Sequence, residues 1–126
     1  MAKVLCVEDE PEIRDVIVEE LIDFGHDVET AEDGKLGLEA ALQFQPDVIL
    51  SDFLMPRMTG PEMIRTLRDG HPEFSATPCV VISAYANDRH RSEATEAGVT
   101  LYLTKPIDFD RLELALNDLL SGKREA

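Results

Sequence analysis

Short apolar runs alternate with helix-patterned stretches five times along this chain, and few architectures accommodate that order. Lys3–Val7 is the first β-rich run, and Pro11–Phe24 follows with Ile13, Val16, Ile17, Leu21 and Phe24 at helical spacing. Pro11 suits a first helical turn and Gly25 suits the position past a helix end. Asp27–Ala31 is read as a second strand. Gly34–Phe44 is read as a second helix that offers Leu36, Ala40 and Leu42 to the core, with Pro46 after its end. Val48–Ser51, Cys79–Ser83 and Thr100–Thr104 complete the strands. Pro61–Asp69, Asp88–Ala97 and Asp108–Leu120 complete the helices, with Gly70–Pro78 as a loop carrying two prolines. Core contacts are expected from Met63, Ile64 and Leu67, then Ala94 and Ala97, then Leu112, Leu116, Leu119 and Leu120.

A strand buried on both faces reads as a near-continuous apolar run, as the first, third and fourth do. The expected fold is therefore α/β: a doubly wound, five-stranded parallel sheet with five helices on its two faces. Right-handed crossovers restrict the topology further. In such sheets functional residues gather beyond the carboxyl ends of the strands.

Those ends carry an unusual set. Glu8 and Asp9 follow the first strand, Asp52 the third, Ser83 closes the fourth and Lys105 follows the fifth. Three carboxylates, a hydroxyl and an ammonium then share one edge. Close carboxylates raise one another's pKa unless a cation intervenes, and an all-oxygen anionic cluster favours a hard ion such as Mg²⁺. An acceptor carboxylate, a metal to offset charge and donors for phosphoryl oxygens are what phosphoryl transfer to a carboxylate requires.

Charge narrows the function classes. The 126 residues carry 12 basic and 26 acidic side chains, a formal charge of −14. Residues 1–63 net −12 and residues 64–126 only −2. An isoelectric point near 4.4 lacks the basic footprint that direct nucleic-acid binding or docking on an anionic membrane needs. No apolar run approaches a membrane span, no signal-peptide pattern opens the chain, and Cys6 and Cys79 sit in strand-like runs as reduced core residues. A cytoplasmic protein is expected.

In its motifs the sequence resembles the receiver domain of two-component response regulators. Val7-Glu8-Asp9-Glu10-Pro11, Ser51-Asp52-Phe53-Leu54-Met55-Pro56 with Gly60, Ile82-Ser83-Ala84 and Tyr102-Leu103-Thr104-Lys105-Pro106 carry the match, in order and each at the end of an apolar run. The resemblance implies strand order 2-1-3-4-5 in a flavodoxin-like three-layer sandwich, with a receiver domain over residues 1–121 and a polar tail over 122–126. It implies a switch rather than an enzyme acting on other substrates. Asp52 would accept a phosphoryl group from a histidine kinase or histidine phosphotransfer protein. Asp9, Asp52 and the backbone carbonyl of Leu54 would bind Mg²⁺, with Glu8 acting through water. Ser83 and Lys105 would bind phosphoryl oxygens. The Lys105–Pro106 bond is often cis in the family.

The same resemblance makes Ser83 and Tyr102 the switch pair, which reshapes the surface of the fourth helix, fifth strand and fifth helix for a downstream protein target or output domain. A homodimer formed on phosphorylation is a further expectation. Leu54 and Tyr85 occupy the two positions, each two residues past Asp52 and Ser83, at which the family tunes dephosphorylation; both are bulky here, which implies a long-lived phosphoryl-aspartate. His26, His71 and His90 have no Cys or His neighbours at metal spacing and are read as surface residues. Arg89-His90-Arg91 is read as a solvated helix face or an interaction patch. Two other classes compete. Phosphohydrolases of the haloacid dehalogenase type resemble one another in an Asp-x-Asp motif, whose second position is Leu54 here, and they usually carry a cap domain. A flavin module of flavodoxin type would need a phosphate loop after the first strand, and none is present.

Overall fold

A computed structural model describes residues 2–85 and 87–121 of the chain. The element order is β1 (Lys3–Val7), α1 (Pro11–Asp23), β2 (Asp27–Ala31), α2 (Gly34–Phe44), β3 (Val48–Asp52), α3 (Gly60–Gly70), β4 (Cys79–Ser83), α4 (Asp88–Ala97), β5 (Leu101–Thr104) and α5 (Phe109–Leu120), with a short 3-10 turn at Pro72–Phe74. All five strands pair in parallel in the order β2-β1-β3-β4-β5. The expected fold and strand order are therefore observed. Ser121 lies in a turn after α5, and the tail expected over 122–126 falls outside the described residues.

Alternation along each strand sorts the core into two layers. Val4, Cys6, Val48, Leu50, Val80 and Ile82 pack against Ile17 and Leu21 of α1 and Leu112 and Leu116 of α5. Leu5, Val7, Ile49 and Val81 face the opposite way, onto Ala41 of α2, Met63, Ile64 and Leu67 of α3, and Ala94 of α4. Burying side chains such as these stabilises the fold by roughly 1.5–3 kcal/mol each. Both cysteines are buried thiols; burial raises the Cys6 thiol to about 12 and the Cys79 thiol to about 11, so neither is reactive at neutral pH.

Helix α2 departs in part from its expected orientation: Ala40 packs against the core as expected, beside Leu38. Leu36 and Leu42 are exposed, while Gly34, Gly37 and Ala41 face inward. The helix lies too close to the sheet for large side chains: a Cβ on Gly37 would meet the Met63 sulfur at 2.6 Å and Val7 at 3.1 Å. Close approach selects the small-residue stripe over Leu36 and Leu42. Val16 of α1 is also half exposed, and Phe74, in the segment read as a bare loop, is buried beneath the 3-10 turn.

The helix starts hold the site's loops in place. Asp33 caps α2 by accepting from Leu36 N at 2.8 Å, and Thr59 with Glu62 forms a reciprocal capping box on α3. Gly60, the first residue of α3, sits against the chain leaving β3: its N–H donates to Phe53 O at 2.8 Å. A Cβ there would stand 2.4 Å from Asp52 O and 3.0 Å from Ser51 Oγ. Neither is the free end of a flexible side chain, so Gly60→Ala must displace Asp52 or α3. We expect it to destabilise the fold by about 1–3 kcal/mol in urea unfolding. Gly70→Ala, where a Cβ meets nothing within 4 Å, should be neutral or slightly stabilising. Equal stabilities for the two variants would contradict this account.

Candidate functional site

The parallel sheet brings the chemistry-bearing strand ends together. Beyond β1, Glu8 N donates to Ala31 O at 3.0 Å, while Arg14 Nη1 donates to Glu8 O at 2.8 Å. These bonds turn the Glu8 side chain into the molecule, where it is 2% exposed. Asp52 is the last residue of β3 and is 8% exposed. Lys105 N donates to Ser83 O at 2.7 Å, tying the segment after β5 to the end of β4. The Lys105–Pro106 peptide is cis, as anticipated. The Lys105 ammonium lies 3.0 Å from Asp52 Oδ1 and 3.9 Å from Glu8 Oε1.

Glu8, Asp9 and Asp52 each offer an oxygen, and these oxygens lie within 4.8 Å of one another. One ammonium does not offset this much negative charge. Burial, followed by the Asp52 charge, pushes the Glu8 carboxyl up from 4.5 to about 7. Burial also raises Asp52 even though Lys105 opposes it. Burial alone would lower Lys105, but the hydrogen bond to Asp52 and the charges of Asp52, Glu8 and Glu10 together outweigh it, and the net direction is upward. Hard oxygen donors, excess negative charge and two upward carboxyl shifts fit a divalent cation better than a lone ammonium.

The remaining expected residues form a second group beside the first. Ser83 Oγ accepts from Tyr85 N at 3.0 Å, and the Tyr102 hydroxyl donates to Tyr85 O at 2.5 Å. The Tyr102 ring meets Phe53 edge-on at 6.2 Å, and the Arg91 guanidinium lies over its ring at 4.8 Å. Leu54 and Tyr85 are 46% and 42% exposed, at the rim rather than in the core.

Three features were not read from sequence. His90 is not a bare surface residue: its ring stacks on Tyr85 at 4.7 Å and meets Phe53 edge-on at 5.0 Å. Arg57, at positive φ in the loop after β3, reaches the buried carboxylate of Asp33 at 2.5 Å and fastens that loop to the start of α2. Arg68 donates to the carbonyls of Gly98, Phe74, Ser75 and Thr77, which ties α3 to the ends of α4 and the 3-10 turn. His26 and His71 take no part in the strand-end cluster. Both ring nitrogens of His26 are buried without a hydrogen-bond partner among the described residues, and burial lowers its pKa.

The family model for the response regulator receiver domain matches residues 4–117. The chain belongs to the response regulator receiver family. Protein PilH of Pseudomonas aeruginosa is 34% identical to this receiver domain over 97% of the chain and 100% of its own length. The structure of the chemotaxis response regulator CheY4 of Vibrio cholerae superposes with a TM-score of 0.89 at 36% identity, covering 95% of this chain and 99% of that one. A receiver domain from a Pseudomonas aeruginosa sensor histidine kinase superposes with a TM-score of 0.88 at 28% identity, covering 95% and 98%; its structure holds a magnesium ion in the active-site cleft. Other curated relatives are longer. The chain spans 8% of a hybrid histidine kinase, 53% of a response regulator and 49% of a DNA-binding transcriptional regulator. Receiver domains are signalling modules of two-component systems, which establishes the class of this chain. No helix among the described residues is long and apolar enough to cross a membrane.

Proposed function

We propose that this receiver domain is a phosphorylation-activated switch in which Asp52 accepts a phosphoryl group from a histidine kinase or histidine phosphotransfer protein. The observation that carries this reading is the buried Asp52 carboxylate, with the Lys105 ammonium at 3.0 Å and the Glu8 and Asp9 oxygens beside it. An Asp52 oxygen attacks the donor phosphorus, the phosphorus–nitrogen bond of the phosphohistidine breaks, and its electron pair leaves with the imidazole. The product is a phosphoryl-aspartate. Lys105 offsets charge on the phosphoryl oxygens, and the Ser83 hydroxyl donates to one of them once it turns from Tyr85 N. Asp9, Asp52 and the Leu54 carbonyl are the ligands we assign to Mg²⁺, with Glu8 acting through water. Bound there, the ion would supply a Lewis acid that offsets charge on donor and acceptor oxygens.

Two surfaces fit the partners. Beside Lys105, an apolar groove is lined by Ile13, Val16, Pro106, Ile107 and Phe109, with acidic Glu12 at its edge. A kinase or phosphotransfer helix with an apolar face and a basic rim suits it. The output partner, whether protein target, attached domain or second copy, is assigned to the α4-β5-α5 face, where Tyr102 and Arg91 lie. The acidic charge of the chain argues against nucleic acid as a direct ligand.

The test is exposure to a small acyl phosphate with Mg²⁺, followed by intact mass. The wild type should gain one phosphoryl group, Asp52→Asn none, and wild type in chelator little. Unchanged labelling of Asp52→Asn would refute the assignment. Rim residues Leu54 and Tyr85 should retard attack by water on the phosphoryl group. Leu54→Asn is accordingly expected to speed its loss by about three- to tenfold, followed by intact mass after donor removal. Wild-type hydrolysis complete within seconds would contradict the bulky-rim reading.

A further inference from the structure

The His90 ring lies between the two strand ends that carry Asp52 and Ser83. One face stacks on Tyr85, two residues beyond Ser83, with ring centroids at 4.7 Å and planes 12° apart. Phe53, the residue after Asp52, meets it edge-on at 5.0 Å and 72°. His90 is further fixed by Asn87, the residue that caps α4: Asn87 Oδ1 accepts from His90 N at 2.9 Å and lies 2.6 Å from His90 Nδ1. That oxygen can only accept, so Nδ1 is the protonated ring nitrogen in this contact. Tyr85 is in turn a junction. Its N–H donates to Ser83 Oγ at 3.0 Å, its carbonyl accepts from Tyr102 at 2.5 Å, and its ring rests on His90.

We infer that His90 is a positioning residue that holds the exposed Tyr85 ring over the rim of the acceptor site and thereby sets the lifetime of the phosphoryl group. The inference rests on the proposed switch reading. Tyr85 is 42% exposed, and among the described residues its aromatic partner is the His90 ring. Without it the side chain is released to solvent rotamers, and water gains an approach to the phosphorus of the phosphorylated form. The ring at 90 thus holds the rim by stacking, which requires an aromatic there and not the Nδ1 bond to the α4 cap.

The chain has two tyrosines and no tryptophan, and both tyrosines belong to this cluster. Near-ultraviolet circular dichroism in the tyrosine band therefore reports its geometry independently of phosphorylation. The experiment loads wild type, His90→Ala, His90→Phe and Arg89→Ala with acetyl phosphate and Mg²⁺, removes donor, and follows phosphoryl loss by intact mass, with unfolding measured in parallel. His90→Ala is expected to lose the phosphoryl group about three- to tenfold faster than wild type and to weaken the tyrosine band. His90→Phe keeps the stack, and both its lifetime and its tyrosine band should stay near wild type. Arg89→Ala is the exposed control. Should His90→Ala fold poorly, Tyr85→Ala must show the same acceleration. A His90→Ala lifetime equal to wild type, or a His90→Phe lifetime as short as that of His90→Ala, overturns the inference. Failure of wild type to take up a phosphoryl group overturns the switch reading itself, which separates the two.

Discussion

Asp52→Asn is expected to abolish phosphoryl acceptance and at the same time to make the metal-free protein more stable. Loss of acceptance follows from chemistry, since an amide oxygen is a poor nucleophile and its acyl phosphate does not form. The stability gain follows from the balance at the site. Asp52 has the best cationic partner available, Lys105 at 3.0 Å, yet its pKa is raised and not lowered. Burial, with the Asp9 charge adding to it, costs the carboxylate more than Lys105 returns. Asparagine keeps the shape and an oxygen that still accepts from Lys105, removes the charge, and relieves Glu8 of the neighbour that helps raise its pKa. A neutral isostere removes the burial and like-charge cost of this carboxylate, and we expect a gain of about 1–2 kcal/mol. For a chain of this size that is a rise of roughly 4–8 °C in Tm, measured in chelator. Saturating Mg²⁺ should stabilise wild type more than the variant and narrow the gap. A variant less stable than wild type in chelator would mean that the Lys105 bond outweighs the desolvation it opposes.

The alternation of runs was sufficient to fix the α/β class, the parallel sheet and the edge that the strand ends share, because burial on two faces leaves a direct imprint in β1, β3 and β4; the strand order came from the family resemblance. Cys79–Ser83 reads as a strand without a neighbour in view. The distances within the site left no such imprint. Glu8, Asp52 and Lys105 are separated by more than forty residues at each step, and only the sheet order brings Lys105 to 3.0 Å from Asp52. Helix α2 was misread because a leucine at helical spacing signals burial only when the helix stands far enough from the sheet to admit it. At Gly37 it does not. His90 was passed over for a different reason. Its environment is made by Phe53 and Tyr85 from two other loops, and nothing at residues 87–93 announces them. The partners of Arg57 and Arg68, Asp33 and four carbonyls, likewise lie at a distance that periodicity does not reach.

The stability of the metal-free protein should fall as pH rises from about 4.5 toward 7, the reverse of ordinary acid denaturation, and Mg²⁺ should remove that fall. The Glu8 carboxyl moves from 4.5 to about 7 on folding, through burial first and the Asp52 charge second. A carboxyl held above its unfolded value binds its proton more tightly in the folded chain, so unfolding releases protons between the two values. The stability it contributes is complete below 4.5 and is lost as pH passes about 7. The size of the shift makes this loss on the order of 3 kcal/mol, a large fraction of what holds a domain of this length together. Asp52, also raised, acts in the same direction. His26 acts in the opposite direction: its pKa is lowered, so its contribution is present above 6.5 and lost as pH falls through the depressed value. Comparison with Glu8→Gln isolates the carboxyl from that histidine. In chelator, the Tm of wild type should decline from pH 5 to pH 7.5 more steeply than that of Glu8→Gln. With saturating Mg²⁺ the two slopes should converge, because a bound divalent cation offsets the charge that deprotonation creates. Apparent Mg²⁺ affinity should accordingly weaken below pH 7 in wild type, where a proton competes for the cluster, and do so less in Glu8→Gln. Parallel Tm profiles for the two proteins in chelator would show that Glu8 ionises in the folded chain as freely as it does in water.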